Sequence, residues 1–337
     1  MLKLDTLKEL LRTGGFQEYR AKQIIHSIFK EGKSEYSQIS NIPKDLINFM
    51  EDKCPILQLT KDKCLTSKKS GTIKCRFKTQ DNKNIESVLM KFKDKRNSIC
   101  VSSQVGCQLG CKFCATGTMK FGRNLTDEEI CDQVLYFHQN LLNKNQKITN
   151  IVYMGMGEPL MNYENVMKSI RTLNDKNYFN IGARNITVAT AGIAPGIKKM
   201  ADENIQINLA VSLHGASQEL REKIMPLAKL YSLEDLMESI SYYLKKTNRR
   251  VTYEYLMLKD INDSDEDAAA LANLIKYQLC HVNLIPYNET GIPNMHGSKQ
   301  RIIAKFRKII EDSGIPVTVR VSLGQDIDAA CGQLANK

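Results

Sequence analysis

The segment that decides the fold is SICVSSQVGCQLGCKFCATG, residues 98–117, in which a short apolar run leads directly into a loop with three cysteines. The run SICVSS has the Val and Ile content of a buried strand. The loop places Cys107, Cys111 and Cys114 in a C-x3-C-x2-C spacing. A strand that ends in such a loop is typical of α/β enzymes, whose sites lie at the carboxyl ends of parallel strands.

The same alternation of apolar run and helical pattern continues after this segment. Capping-box patterns mark the start of three helices, at Thr126, Ser232 and Ser264. Strand-like runs lie at 98–103, 150–155, 185–190, 206–212, 251–258 and 281–286. Six strands that alternate with helices predict a parallel α/β sheet, and a closed barrel of eight strands would need two more units. We therefore expect a partial, TIM-like (β/α)6 barrel.

Bulk properties narrow the class of protein. The chain has 337 residues, of which 42% are hydrophobic, so it can form one large domain or a main domain with an appendage. It has no run of 18 apolar residues, and its start, MLKLDTLKELLRTGGF, predicts a charged amphipathic helix rather than a signal peptide. We therefore expect a cytoplasmic protein with no membrane partner. In that reducing compartment, ten cysteines indicate metal or redox chemistry rather than a disulfide framework.

Positive charge is concentrated in one early segment. The formal net charge is +11, and residues 61–100 contain ten Lys and two Arg against four acidic residues, a net charge of +8. Such a field attracts polyanions, above all nucleic acid. A solvated, lysine-rich face is the alternative interpretation of the charge alone.

The segments that flank the α/β region predict accessory units. Helical patterns near the start include YRAKQIIHSIFKEG, which ends at Gly32, a plausible helix stop. A basic, strand-like region follows, with a turn at Asp81-Asn82. The expected units are an N-terminal helical accessory domain at 1–54, a basic hairpin-like linker at 55–96, the partial barrel at 97–297 and a C-terminal extension at 298–337.

Three cysteines, rather than four, distinguish the loop from a structural zinc site. Such zinc sites use four ligands, usually from two CxxC pairs, and the chain has no second CxxC. Three thiolates on a 4Fe–4S cluster would leave one iron without a protein ligand. That iron could take the amino and carboxylate groups of S-adenosylmethionine. We expect one 4Fe–4S cluster, with Cys107, Cys111 and Cys114 as its ligands.

The loop resembles that of the radical SAM superfamily, in which an aromatic residue, here Phe113, precedes the last cysteine. Further stretches are similar to the RlmN/Cfr family of that superfamily: GMGEPLMN at 155–162, SLH at 212–214, NLIPYN at 283–288 and DIDAACGQL at 326–334. The resemblance runs from about residue 17 to the end of the chain. It implies an enzyme that methylates an adenosine in RNA.

The resemblance also implies a mechanism. Carbon 2 of adenine lies between two ring nitrogens and is too electron-poor to attack a methyl donor, so the reaction needs a radical. In the family, one S-adenosylmethionine methylates a protein cysteine and a second is cleaved reductively at the cluster, which makes two per turnover. The resulting radical activates the S-methyl group, which adds to the base, and a second cysteine resolves the thioether by forming a disulfide.

Three residues match the catalytic positions of the family. By that resemblance Cys331 carries the methyl group, Cys100 resolves the thioether, and Glu86 handles the proton of the base. A disulfide between the two cysteines requires the fold to bring together residues that are 231 positions apart. The remaining cysteines match nothing in the family and are interpreted as structural or incidental: Cys54, Cys64, Cys75, Cys131 and Cys280.

A second set of residues matches the S-adenosylmethionine site of the family. These residues are Gly157, Glu158, Ala189, Ser212, Leu213, His214 and Asn288. The glycines of GMGE are expected to allow close approach to the backbone, and Glu158 to hold the amino group. The family commonly has serine at the position of Ala189, so one hydrogen bond, worth about 0.5–1.5 kcal/mol, is absent.

The family divides by substrate atom. One branch methylates carbon 2 of an adenosine in the peptidyl-transferase region of 23S rRNA, and some members also act on the adenosine beside the tRNA anticodon. The Cfr branch methylates carbon 8 and confers antibiotic resistance. Pro159 and Val105 favour the carbon-2 branch. The family also implies an electron donor such as flavodoxin or ferredoxin. The alternatives are a radical SAM enzyme with another substrate and a non-enzymatic RNA-binding module with a structural metal.

Overall fold

A computed structural model describes residues 3–336 of the chain. Its helices are α1 (Leu4–Thr13), α2 (Arg20–Phe29), α3 (Lys44–Lys53), α4 (Asp127–Leu142), α5 (Tyr163–Asn174), α6 (Ala194–Ala201), α7 (Gln218–Ile224), α8 (Leu233–Thr247), α9 (Asp265–Ile275) and α10 (Gln300–Asp312). Its strands are β1 (Thr60–Thr66), β2 (Ile73–Lys78), β3 (Asn84–Lys91), β4 (Asn97–Cys100), β5 (Gln104–Val105), β6 (Arg123–Asn124), β7 (Asn150–Tyr153), β8 (Ile186–Thr190), β9 (Asn208–Ser212), β10 (Val251–Met257), β11 (Cys280–Pro286) and β12 (Val317–Val319).

Ten of these strands form one open sheet in the order β1-β2-β3-β4-β7-β8-β9-β10-β11-β12. From β4 onward every neighbouring pair is parallel. The six predicted strands are β4, β7, β8, β9, β10 and β11, so the predicted partial α/β barrel is confirmed. β12 joins as a seventh parallel strand, because it pairs with β11 rather than standing apart in an extension.

The predicted helix starts have a local physical basis. At α4, α8 and α9 a Ser or Thr side chain accepts from the backbone three residues on, and the acidic residue there accepts from the cap in return. Each box satisfies two backbone donors that the first turn leaves without partners. No helix within residues 3–336 is long and apolar enough to cross a membrane.

The basic region 61–100 is part of the main sheet rather than a separate hairpin. β1, β2 and β3 form an antiparallel meander, with Asn82 (φ 59°) in the turn before β3. β3 then pairs with β4 from Val88 opposite Cys100 to Lys91 opposite Asn97. The basic strands therefore extend the edge of the parallel sheet.

Candidate active site

A cavity lies at the carboxyl ends of the parallel strands, where the cysteine loop, the turn after β7 and the ends of β8, β9 and β10 meet the C-terminal segment. Of the thirteen residues that the sequence predicts for the site, nine line this cavity: Cys107, Cys111, Cys114, Gly157, Glu158, Ala189, Ser212, His214 and Cys331. They come from residues that span more than 220 positions of the chain. The fold therefore gathers most of the predicted site in one place.

The three loop cysteines line the cavity together. Burial raises the pKa of all three thiols, to about 11 at Cys107, and the neighbouring thiols raise that of Cys111 further. Among the described residues no three His, Cys, Asp or Glu side chains are grouped as ligands of one metal ion would be. A 4Fe–4S cluster takes one thiolate per iron, and its cationic irons would favour the thiolate forms.

The cysteine loop is held from two sides by backbone contacts. On one side Lys112 N donates to Ile224 O of α7 at 2.9 Å. On the other, Ala115 N donates to Gly332 O at 2.8 Å and the Thr116 hydroxyl to Leu334 O at 2.6 Å. The loop is therefore fixed against both the barrel and the C-terminal segment, which keeps Cys331 beside it.

The glycines of the turn after β7 have a packing role. A Cβ on Gly155 would lie 2.6 Å from Val101 O, and one on Gly157 (φ +98°) would lie 2.4 Å from the Cβ of Gln104. Both contacts are shorter than any side chain tolerates, and the second backbone conformation favours glycine in any case. The expected reason was close approach of a cofactor, whereas the structure shows that packing of the turn against the β4–β5 segment already requires glycine.

Glu158 presents a buried carboxylate to the cavity. Its Oε1 accepts from Leu160 N at 3.0 Å and its Oε2 from Ala191 N at 2.8 Å. Burial nevertheless raises the pKa of Glu158 to about 7, because the two backbone donors offset only part of the desolvation. An ammonium group in the cavity would supply the missing opposite charge.

His214 lines the same cavity as Glu158, and its side chain is neutral. Its Nδ1 accepts from Leu256 N at 3.1 Å, and its ring meets the ring of Phe113 edge-on at 4.9 Å. Burial lowers the pKa of His214 to about 3, and the Arg221 charge adds to that. The imidazole is therefore neutral at pH 7 and carries its hydrogen on Nε2.

Two residues predicted to contact the cofactor, Leu213 and Asn288, do not line the cavity. Leu213 is buried, and its backbone N–H donates to Glu254 O at 3.0 Å. Asn288 donates from Nδ2 to Cys331 O at 3.1 Å, and its Oδ1 accepts from Gln325 at 2.8 Å. In this structure Asn288 holds the loop of Cys331.

The two cysteines predicted to act together share a second, adjoining cavity. Cys100 lines it from the end of β4, and Cys331 lines both cavities. Burial raises the pKa of Cys100 to about 12, and the charge of Cys331 is the next cause. Both are free thiols here. The disulfide present joins another pair, Cys64 and Cys75, which face each other across β1 and β2.

Glu86 lies outside the lining of both cavities. It is fully buried in β3, with Oε1 3.2 Å from Lys74 Nζ and Oε2 accepting from Ala335 N at 3.0 Å. The C-terminal segment therefore covers its carboxylate in this conformation.

Arg320 is a site residue that the sequence analysis missed. It lines both cavities, and its Nη1 lies 3.5 Å from Glu254 Oε2. Its pKa is raised, chiefly by the charge of Cys331 and also by that of Glu254. The sequence feature that could have identified it is a charged residue inside each of two apolar strand patterns, Arg320 in VTVRVS and Glu254 in VTYEYLML.

Comparisons with known proteins show the family to which the chain belongs. Residues 101–272 match the family model of the radical SAM superfamily. A probable dual-specificity RNA methyltransferase RlmN from Dictyoglomus thermophilum is 44% identical over 336 residues, which cover 98% of this chain and 94% of that protein. A protein of the same name from Clostridioides difficile is 44% identical and covers 99% of this chain and 96% of its own. The crystal structure of a radical SAM methyltransferase from Sphaerobacter thermophilus superposes with a TM-score of 0.95 at 42% identity, over 100% of this chain and 98% of that one.

Proposed function

Because this chain belongs to the RlmN family of the radical SAM superfamily, we propose that it methylates carbon 2 of an adenosine in the peptidyl-transferase region of 23S rRNA. The names of its relatives describe dual specificity, so the adenosine beside the tRNA anticodon is the proposed second substrate. The observation that supports the proposal is that Cys331 lines both the cavity of the three loop cysteines and the cavity of Cys100.

Membership of the superfamily implies a 4Fe–4S cluster and S-adenosylmethionine. We assign the cluster to Cys107, Cys111 and Cys114. When bound, the cluster supplies the electron that cleaves S-adenosylmethionine reductively. Glu158 would accept hydrogen bonds from the amino group of S-adenosylmethionine, since its buried carboxylate already faces the cavity. Two molecules of S-adenosylmethionine serve each turnover, one as methyl donor and one as radical source.

Cys331 and Cys100 divide the methyl transfer between them. From its place between the cavities, Cys331 accepts a methyl group on the side of the loop cysteines and presents it to the base on the side of Cys100. The Cys100 thiolate then attacks the sulfur of Cys331, so that an S–S bond forms and the bond from that sulfur to the transferred carbon breaks. The electron pair of the broken bond stays on the carbon, which takes up a proton and becomes the methyl group of the base. Arg320 keeps a positive charge beside Cys331 throughout.

Glu86 is the proposed acceptor of the base proton. Its Oε2 is bonded to Ala335 N, so it reaches a substrate only when the end of the chain releases that bond. The movement of a few terminal residues would open the carboxylate together with the cavity of Cys100, which Leu334 lines.

The proposed RNA-binding surface consists of the helical unit at 1–54 and the basic strands of 61–100. β1 is exposed along most of its length, and its lysines face solvent. Positive side chains there can contact phosphates, while the base is splayed out of its stack into the site. A flavodoxin or ferredoxin is the proposed electron donor.

The decisive experiment is mass spectrometry of nuclease-digested ribosomal RNA from cells that lack their own enzyme and express this one. 2-Methyladenosine at the peptidyl-transferase position is the expected product. 8-Methyladenosine would assign the chain to carbon-8 chemistry instead. Neither product, from protein that contains its cluster, would show that the substrate is misassigned.

A further inference from the structure

Arg221 is a buried cation with an unusual set of partners. Its side chain is 1% exposed. Nη1 donates to the carbonyl oxygens of Ser212, at 3.2 Å, and Leu213, and Nη2 donates to Ala191 O at 3.2 Å. Within residues 3–336 its partners are all main-chain carbonyls, and its Nε has none. A buried charge is costly unless an opposite charge lies near it, so the site demands an anion.

The position of Arg221 indicates which anion that is. Arg221 lies on α7, and the last residue of that helix, Ile224, accepts the backbone hydrogen bond of Lys112 in the cysteine loop. Lys112 directly follows Cys111. The guanidinium bonds the carbonyls of Ser212 and Leu213. The ring of the next residue, His214, packs at 4.9 Å against Phe113, which lies between Cys111 and Cys114.

We propose that Arg221 is the buried counter-charge of the 4Fe–4S cluster, and that its positive charge favours reduction of the cluster. The inference rests on the proposed cluster site. Reduction adds one electron from the external donor and no proton, so the three-thiolate cluster becomes more negative by one unit. A fixed cation behind the cysteine loop stabilises that added charge. Arg221 is thus a positioning residue, since it also holds the strand ends that carry Ser212.

The competing explanation is that Arg221 only ties strand ends together. That role needs hydrogen-bond donors and no charge, so the side-chain amide of a glutamine could replace some of these hydrogen bonds. Arg221→Gln removes the charge and keeps an amide donor. Arg221→Lys keeps the charge and loses the paired Nη donors of the guanidinium. Lys223→Gln removes an exposed charge from the same helix and is the matched control.

The test is a redox titration of the reconstituted protein without substrate, with dithionite as reductant and the EPR signal of the reduced cluster as readout. For Arg221→Gln we expect the equilibrium constant for reduction to fall about tenfold, which is ~59 mV for one electron. Arg221→Lys and Lys223→Gln are expected to titrate like the wild type. An unchanged midpoint in Arg221→Gln, at equal iron content, would overturn the inference.

If Arg221→Gln fails to fold, Arg221→Met, which also removes the charge, takes its place, with Lys223→Gln as control. A tenfold fall in the equilibrium constant for reduction supports the inference, and an unchanged midpoint overturns it. In Arg221→Lys, an equally large shift with the charge still present also overturns it. Wild-type protein that takes up no iron and sulfide would refute the cluster site itself, and the inference with it.

Discussion

Cys331 has the properties that a methyl carrier between two reaction partners needs. It is exposed, it lines both cavities, and its loop is tied to Asn288 and, through Gly332, to the cysteine loop. We expect Cys331→Ala to abolish RNA methylation while leaving iron content unchanged. Cys100→Ala should still add the methyl group and then stall, because nothing attacks the sulfur of Cys331, so a covalent protein–RNA adduct should accumulate. Both outcomes are measurable by mass spectrometry of protein and RNA.

Cys54→Ala is the matched control for these two variants, because Cys54 is half-buried among the N-terminal helices, away from both cavities. It should methylate RNA like the wild type. Full turnover by Cys331→Ala would contradict the two-cysteine mechanism, and normal product release by Cys100→Ala would remove Cys100 from it.

Glu158 should make binding of S-adenosylmethionine depend on pH. Burial raises its pKa to about 7, so the carboxyl is largely protonated at pH 6 and ionised at pH 8. Only the ionised form attracts an ammonium group, so the dissociation constant should rise about tenfold from pH 8 to pH 6. Anaerobic calorimetry would measure it. Glu158→Gln should bind weakly with a much flatter profile, and an equally steep profile in that variant would assign the titration elsewhere.

At the scale of elements, short local signals decide where helices begin. The Thr126 side chain accepts from Glu129 N at 3.1 Å, and Glu129 accepts from Thr126 N at 3.0 Å. We expect Thr126→Ala to lower the free energy of unfolding by about 1 kcal/mol in anaerobic urea titrations. Ser241→Ala, in the exposed middle of α8, should leave it nearly unchanged, because that hydroxyl bonds only within its own helix. Equal losses in both variants would contradict a specific capping effect.

Local sequence signals do not predict how distant strands pair. The turn near Asn82 and the strands on either side of it follow from the sequence pattern. Nothing local shows that β3 pairs with β4, or that β12 lies beside β11, because backbone pairing depends on segments far apart in the chain. The sequence predicts a hairpin-like linker and a C-terminal extension, and the structure adds that strands of both regions belong to one continuous sheet.

For the whole molecule, charge distribution makes RNA binding sensitive to salt. Of the net charge of +11, residues 61–100 contribute +8. Affinity for RNA should fall steeply between low and physiological salt, because phosphate contacts release counterions. Lys61→Ala and Lys63→Ala, both on exposed positions of β1, should each reduce the slope of log affinity against log salt by up to about one. Filter binding at several salt concentrations measures this.

Lys308→Ala is the control for the salt series, because Lys308 lies on α10, outside the basic segment, and already pairs with Asp312. Its slope should equal that of the wild type. Equal slopes in all variants would place the RNA contact elsewhere on the molecule.

By itself the sequence determined the alternation of strands and helices, the helix caps, the cluster loop and the family. These features depend on short stretches of sequence, in which the spacing and type of neighbouring residues determine the local structure. Only the tertiary structure decided that Cys100 and Cys331 share a cavity, that Glu86 lies under the end of the chain, and that Arg320 lines the same cavity as Cys331. Those contacts join residues from distant parts of the chain, so packing of the whole sheet fixes them and no local pattern records them.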